Sequence, residues 1–151
     1  MENTKNNSSD KKTIFLNIAP PAGTAQQRKF SFRTRRTYLP EKVREARAQF
    51  ESALLPFRPE HPLNGPLEVE QKWFYPFPKS RCRKGLTIQP KTTVPDSDNV
   101  AKMLNDACTH AGIWKDDRLI YKLMVEKYFV DPAVHPVGVE IKITPYSERS
   151  I

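Results

Sequence analysis

Alternation of apolar and polar residues predicts four strands along the chain. In the first, Ile14, Leu16 and Ile18 alternate with more polar neighbours, which is the period-two pattern of a strand with one buried face. The same alternation, or an apolar run of strand length, recurs three more times. The predicted strands span residues 13–20, 67–77, 119–130 and 138–146, and a short additional strand is predicted near residues 29–33.

Two further stretches repeat apolar side chains at three- and four-residue spacing, as amphipathic helices do. The first runs over residues 40–56, with a proline suited to the first turn and another at the end. The second spans residues 99–111, with Asp98 or Asn99 as its N-cap and Gly112 as its C′ residue. The order of all these elements predicts an α+β fold, in which two main helices pack on one face of a small mixed sheet.

Length and composition place these elements in one domain. The chain has 151 residues, 38% of them hydrophobic, which is enough for one modest core. Residues 1–12 are polar and are predicted to be a disordered tail, which leaves residues 13–151 as a single domain. The opening segment lacks the apolar centre of a secretory signal, and no apolar run has the length of a membrane span. We therefore expect a cytoplasmic protein without a membrane partner.

The charge balance changes this picture of an ordinary small domain. The formal net charge is +8, which favours a polyanionic partner, with nucleic acid ahead of an anionic membrane. The basic residues concentrate in two segments without helical periodicity, and the first interleaves them with Phe30, Phe32 and Tyr38. A solvated charged loop is the alternative interpretation of that segment. The candidate DNA contacts are Lys29, Arg33, Arg35, Arg36, Lys79, Arg81, Arg83 and Lys84.

Residues 94–117 gather acidic residues despite the basic composition. Taken singly, Asp98 suits a helix cap, and the adjacent Asp116 and Asp117 suit a turn. An extended segment before the helix would direct Asp96 and Asp98 to the same side. The chain turns back after the helix, and we expect this return to bring Asp117 toward Asp96 and Asp98.

A lysine lies among these acids. Lys102 follows Asp98 by four residues and precedes Asp106 by four, so the three share one helix face. A simple surface ion pair is the alternative interpretation of this spacing.

Three carboxylates that converge repel one another unless a cation lies between them. Oxygen ligands of this kind suit Mg²⁺ or Mn²⁺, and no small-molecule cofactor is expected. Cys82 and Cys108 do not have the spacing of zinc ligands, and we expect Cys108 in the core. A carboxylate-bound metal in a basic protein predicts phosphodiester hydrolysis, because cationic segments bind the backbone while the metal activates water.

The acidic stretch resembles the RusA-type Holliday junction resolvases. That family carries a P-D-x-D-N-L-x-K segment that opens a helix, then D-A, a small-residue turn, an aromatic residue and D-D before a strand. Here the corresponding segments are PDSDNVAK, NDAC and AGIWKDD, without a gap from Pro95 to Asp117. IAPPAG and FPKSRCRKG also look like family features, so the resemblance covers most of residues 13–146. Val94 stands where a basic residue is common, with Lys91 as a nearby substitute.

The resemblance implies a homodimeric nuclease that uses Mg²⁺ or Mn²⁺ and makes paired symmetric nicks in four-way DNA junctions during recombination and repair. Such proteins are often encoded by phage or prophage. The residues that match the metal ligands are Asp96, Asp98 and Asp117, and Lys102 matches the essential lysine. Asp106 matches a recurrent aspartate, and Asp116 is a further supporting candidate. Two alternatives stay open: a catalytically inactive DNA-binding module of the same fold, and a metal nuclease acting on flaps or other branched DNA.

Overall fold

A computed structural model describes residues 11–22, 29–38, 41–81 and 85–148 of the chain, which contain seven strands and two α-helices. The strands are β1 (Lys12–Leu16), β2 (Lys29–Ser31), β3 (Arg36–Tyr38), β4 (Leu67–Pro76), β5 (Ile88–Pro90), β6 (Ile120–Val130) and β7 (Gly138–Pro145). The helices are α1 (Glu41–Leu54) and α2 (Ser97–His110). No helix in these residues is long and apolar enough to cross a membrane. Of the predicted disordered tail, residues 1–10 lie outside the described residues.

β4 lies at the centre of a five-stranded mixed sheet with the strand order β1-β7-β4-β6-β5. It pairs antiparallel with β7 on one side and parallel with β6 on the other. β2 and β3 form a separate two-stranded hairpin. The predicted α+β class, with two helices and a small mixed sheet, is confirmed.

Both helices share one apolar core with the sheet. β4 turns Leu67, Val69 and Trp73 into this core, while α1 contributes Phe50 and α2 contributes Leu104, and each of these side chains is at most 1% exposed. The intervening residues of β4 lie on the other face, where they form ion pairs with both neighbouring strands. These pairs are Glu68–Lys122, Glu70–Lys142 and Lys72–Glu126. Helices therefore cover one face of the sheet, and charged side chains cover the other.

The predicted start of α2 is wrong, and its predicted end is confirmed. α2 begins at Ser97, with Asp96 rather than Asp98 or Asn99 as its N-cap, because the Asp96 carbonyl already accepts the first helical hydrogen bond from the Val100 N–H at 3.1 Å. Gly112 follows the last turn with a φ of 78°, as expected of a C′ glycine.

The predicted irregular segment 78–94 contains a strand that the sequence pattern does not show. β5 has three exposed residues and no apolar alternation, and it is a strand because it pairs with Tyr128–Val130 of β6. Cys108 is fully buried in the core as predicted, and burial raises the pKa of its thiol.

A chain of polar side chains crosses the core between the sheet and α2. The Gln71 side-chain amide donates to Asn105 Oδ1 at 2.8 Å, and the Trp73 indole N–H donates to Gln71 Oε1 at 3.2 Å. Gln71 is 1% exposed and Asn105 is 9% exposed, so water cannot easily replace these bonds. The bonds tie β4 to the middle of the helix that carries the acidic residues.

We expect Asn105→Ala to lower the free energy of unfolding by about 1–3 kcal/mol, because the buried Gln71 amide loses its acceptor. Urea unfolding of the variant and the wild type measures the difference. Asn17→Ala is the matched control, since Asn17 is exposed and its loss should change the free energy by less than about 0.5 kcal/mol. Equal effects of the two substitutions would contradict a structural role for the polar chain.

Candidate active site

Two of the candidate acids lie at the start of α2. Asp96 is the N-cap residue, with extended backbone (φ −68°, ψ 153°) and no capping hydrogen bond from its side chain. Asp98 lies in the first turn, where its Oδ1 accepts the N–H of Asn99 at 3.0 Å. Both carboxylates are exposed, and the positive end of the helix dipole stabilises their charge. Carboxylate oxygens at this end of α2 are therefore available for a cation.

The helix face that contains Lys102 is accessible, as its spacing predicts. Lys102 is exposed and Asp106 is partly exposed, whereas Val100 and Leu104 on the opposite face are fully buried. Within the described residues, Lys102 forms no ion pair with an acid. Its ammonium group is thus available to an anionic ligand beside Asp98.

Asp117 lies far from the other two acids within one chain. It opens a 3₁₀ turn (Asp117–Leu119) that leads into β6, whereas the residue of β6 beside the start of α2 is Lys127, whose Nζ donates to the Pro95 carbonyl at 2.6 Å. The seven residue steps from Ile120 to Lys127 span roughly 23 Å at about 3.3 Å per residue.

The expected convergence of the three acids within one chain is therefore wrong. Among the described residues, no group of three or more His, Cys, Asp and Glu side chains is placed to hold a metal ion. The reason is the direction of β6: it runs antiparallel to α2, so the end of the strand and not its beginning lies beside the start of the helix.

Asp116 has a local structural role next to Asp117. Its carboxylate accepts the Arg118 backbone N–H at 2.9 Å and the Arg118 Nε–H at 3.0 Å, which caps the 3₁₀ turn. The side-chain hydrogen bond from Arg118 is the main cause that holds the pKa of Asp116 below its usual value. Asp117 is exposed, and its side chain interacts with that of Asp116 rather than accepting a hydrogen bond from Arg118. The two neighbouring aspartates therefore differ in their contacts: Asp116 caps the turn, whereas the carboxylate of Asp117 is exposed to solvent.

Two lysines hold the segment that leads into α2. Lys91 is only 7% exposed, and its Nζ donates to the Thr93 hydroxyl, to the Thr93 carbonyl at 3.1 Å and to the Val94 carbonyl at 2.6 Å. The same ammonium lies 4.9 Å from the ring centroids of both Tyr75 and Phe129. Lys91 was a candidate substitute for the missing surface cation at Val94, and its burial excludes that role.

Lys127 completes this arrangement from β6. Its Nζ donates to the Thr93 carbonyl at 2.9 Å as well as to the Pro95 carbonyl. Ammonium groups bound to successive carbonyls restrict the backbone directly before Asp96. Neither lysine has a sequence signal for this role, because both lie in ordinary basic or alternating stretches.

The other feature that the sequence does not reveal is the free edge of β6. β5 pairs only with residues 128–130 of β6, and no described strand pairs with the same edge over residues 120–126. Tyr121, Leu123 and Met124 are 41–55% exposed along this edge. The apolar sequence of β6 predicts a buried strand. That part of it is exposed follows only from the strand pairing, which leaves this edge uncovered.

The candidate DNA contacts lie in two places. Lys29, Arg33, Arg35 and Arg36 are exposed on the β2–β3 hairpin, and Lys79 is exposed after β4. Arg83, Lys84 and the side chain of Arg81 lie outside the described residues.

We expect Lys91→Met to lower the free energy of unfolding by about 2 kcal/mol, because charge-assisted hydrogen bonds to Thr93 and Val94 are lost. Amide hydrogen exchange should also become faster across residues 93–100, while the strands of the sheet stay protected. Urea unfolding and hydrogen exchange measure these effects. Lys79→Met is the matched control, since it removes an exposed lysine and should change neither measurement. Unchanged exchange at residues 93–100 in Lys91→Met would contradict the positioning role.

Comparison with known proteins identifies the family of the chain. The family model described as Endodeoxyribonuclease RusA matches residues 19–144, which include every described candidate acid and Lys102. The chain is also 38% identical over 81 residues to the Bacillus subtilis (strain 168) protein named "Uncharacterized protein YqaN". That match covers 48% of this chain and 55% of the relative, so the chain spans about half the length of the curated protein it matches. The family match extends over most of the chain, and the protein belongs to the RusA endodeoxyribonuclease family.

Proposed function

We propose that this protein is a divalent-metal-dependent endonuclease that works as a homodimer and resolves four-way DNA junctions by two symmetric nicks, in DNA recombination and repair. One observation carries the proposal: among the described residues, two exposed carboxylates and an exposed lysine lie at one end of a strand edge that no strand pairs with, and the third acid lies at the other end. A second copy of the chain on that edge brings these ends together.

The geometry of the edge supports a two-fold dimer. A two-fold axis between Lys122 and Leu123, the midpoint of the exposed residues 121–124, pairs β6 antiparallel with its copy. Positions whose numbers sum to 245 then lie opposite each other, so 121 faces 124 and 120 faces 125. The partner's Asp117, three residues before its β6, then lies beyond the paired segment, toward Lys127, which contacts the backbone just before Asp96. Each site then combines two acids of one chain with one acid of its partner.

The same pairing explains the exposed apolar residues. The edge offers unpaired backbone N–H and C=O groups together with Tyr121, Leu123 and Met124. Edges of this kind favour pairing with another strand. In a two-fold dimer the two edges pair with each other, which uses the backbone hydrogen-bonding groups of both and leaves no edge to recruit a third chain. Lys122 on this strand already pairs with Glu68, so its positive charge does not oppose its own copy across the axis.

The residues fit Mg²⁺ or Mn²⁺ when the two chains are combined. Asp96 and Asp98 of one chain with the partner's Asp117 provide hard oxygen ligands and no sulfur or imidazole. A metal bound there would supply activation of the attacking water and stabilisation of the leaving oxygen.

Lys102 lies on the exposed face of α2, one turn after Asp98. Its ammonium binds the scissile phosphate and stabilises the negative charge that develops on it during hydrolysis. Asp106, one turn further along the same face, supports the orientation of Lys102 through its charge.

The basic residues bind the DNA backbone. The net charge of +8 and the exposed cations on the hairpin and after β4 provide the electrostatic attraction for phosphates. Two identical sites related by a two-fold axis match a four-way junction, whose resolution into two duplexes needs two cuts of related geometry. A substrate panel of four-way junction, flap, duplex and single strand separates this function from a general flap nuclease.

We expect Asp117→Asn to reduce Mg²⁺-dependent nicking of a four-way junction by at least about 100-fold, because one anionic metal ligand is lost. Junction affinity should hold or rise, since the phosphates then meet one negative charge less. Asp116→Asn is the matched control: it weakens the bond to Arg118 but leaves the ligand set intact, so nicking should fall far less. Inactive Asp116→Asn with active Asp117→Asn would reverse the assignment, and full activity of both would argue against the metal site.

Mixing inactive variants tests whether each site combines two chains. A heterodimer of Asp96→Asn and Asp117→Asn chains holds one intact composite site, so random mixing should restore about a quarter of the wild-type sites. Nicking after joint refolding measures this recovery. Asp96→Asn mixed with Asp98→Asn is the control and should stay inactive, because both sites then lack an acid of α2. Absence of recovery in the first mixture would mean that each site belongs to one chain.

A further inference from the structure

The β2–β3 hairpin is separate from the five-stranded sheet and presents its turn to solvent. Its register pairs Phe30 with Thr37 and Ser31 with Arg36, and residues 32–35 form the turn. The Thr34 N–H donates to Ser31 Oγ at 3.3 Å, and Arg35 adopts a φ of 51°. The turn thus has a defined conformation that comes from its own residues.

Two aromatic side chains lie exposed at this turn. Phe32 is 89% exposed, the highest value among the large apolar side chains described, and Phe30 is 52% exposed. Their ring centroids are 5.2 Å apart, and the rings are nearly perpendicular at 89°. Edge-to-face packing holds the pair as a small rigid surface while the outer face of Phe32 stays open. Exposed apolar surface of this kind at the turn of a hairpin indicates a site of contact with a ligand or partner.

The charges around these rings all have one sign. Lys29, Arg33, Arg35 and Arg36 are exposed, and residues 29–38 contain no acid. None of the four cations forms an ion pair with a residue that the structure describes. Open aromatic faces among unpaired cations match the two parts of an unpaired nucleotide, because the ring stacks on the base and the cation contacts the phosphate.

We propose that the hairpin binds unstacked bases at the branch point of the DNA, with Phe32 stacked on a base and Arg33 and Arg36 on the flanking phosphates. This inference rests on the proposed function, which supplies the branched substrate. Within a linear duplex, each base is covered above and below by its neighbours. At a branch, stacking is interrupted, and a base face becomes available to the ring. The hairpin therefore raises the affinity for branched DNA relative to the affinity for linear duplex. Phosphate contacts alone would not distinguish the two kinds of DNA.

Binding of the full-length chain to synthetic DNA tests the proposal. The probes are a four-way junction with 2-aminopurine beside the branch point and a linear duplex with the same local sequence, both in EDTA to prevent cleavage. For Phe30→Ala/Phe32→Ala we expect junction affinity to fall roughly tenfold and duplex affinity to change less than about twofold, because only the junction offers a base to stack on. The salt dependence of binding should stay unchanged, since no charge is removed. The rise in 2-aminopurine fluorescence on binding should also shrink.

Two control variants separate stacking from other effects. Arg33→Gln/Arg36→Gln removes phosphate contacts, so it should weaken junction and duplex binding alike and reduce the salt slope. Val134→Ala removes a side chain that is 64% exposed outside the hairpin and should change nothing.

Three results would overturn the inference. One is unchanged junction binding by Phe30→Ala/Phe32→Ala, and another is an equal loss on junction and duplex. The third is dissociation of the dimer in light scattering, which would make the hairpin a contact between copies of the chain. Nicking of the junction by the wild-type protein in Mg²⁺ tests the proposed function separately. Normal nicking with any of the three results removes the stacking role alone, whereas absent nicking removes the proposed function.

Discussion

The parallel pairing of β4 with β6 is the constraint on which the arrangement of the candidate site depends. Two parallel neighbours require the connecting chain to return across the full length of the sheet before the second strand begins. α2 makes that return, so its first turn lies beside the end of β6 and its last turn lies near the beginning. The acids at the two ends of this connection, Asp96 and Asp117, are consequently separated by the length of a strand.

The same connection leaves an edge that a second chain fills in the proposed dimer. β5 covers only the last three residues of β6, so the part of the strand between the separated acids pairs with β4 on one edge and with no described strand on the other. In an antiparallel two-fold pair, the beginning of one strand meets the end of the other. In the proposed dimer, the separation that prevents a complete site in one chain is therefore the geometry that would assemble two equivalent sites. Under this proposal, catalysis and association both depend on one strand edge.

Cations act in this protein in two physically different ways. Lys91 and Lys127 bind backbone carbonyls at the base of α2 and act as structural elements, and the Lys91 ammonium also lies over two aromatic rings. Lys102 and the cations of the hairpin are exposed and unpaired among the described residues, so their charge is available to a polyanion. In the net charge calculated from the sequence, each of these cations contributes equally. Burial decides which lysines stabilise the fold and which can bind a ligand.

The sequence alone determined the features that arise within a few turns of chain. The spacing of Val100 and Leu104 defined the buried face of α2, Gly112 defined its end, and the acidic motif with Lys102 identified the family. Each of these depends on residues within one helix or one turn, so local periodicity is enough to predict it. The strand β4 was predictable for the same reason.

Tertiary structure decided the features that depend on residues far apart in the chain. β5 exists as a strand only through its pairing with the end of β6, and the inward position of Lys91 depends on the rings of Tyr75 and Phe129. The distance between Asp96 and Asp117 depends on the direction of β6 relative to α2, which neither segment encodes locally. Periodicity tells which side of an element is buried, and only strand pairing tells which element lies next to it and in which direction.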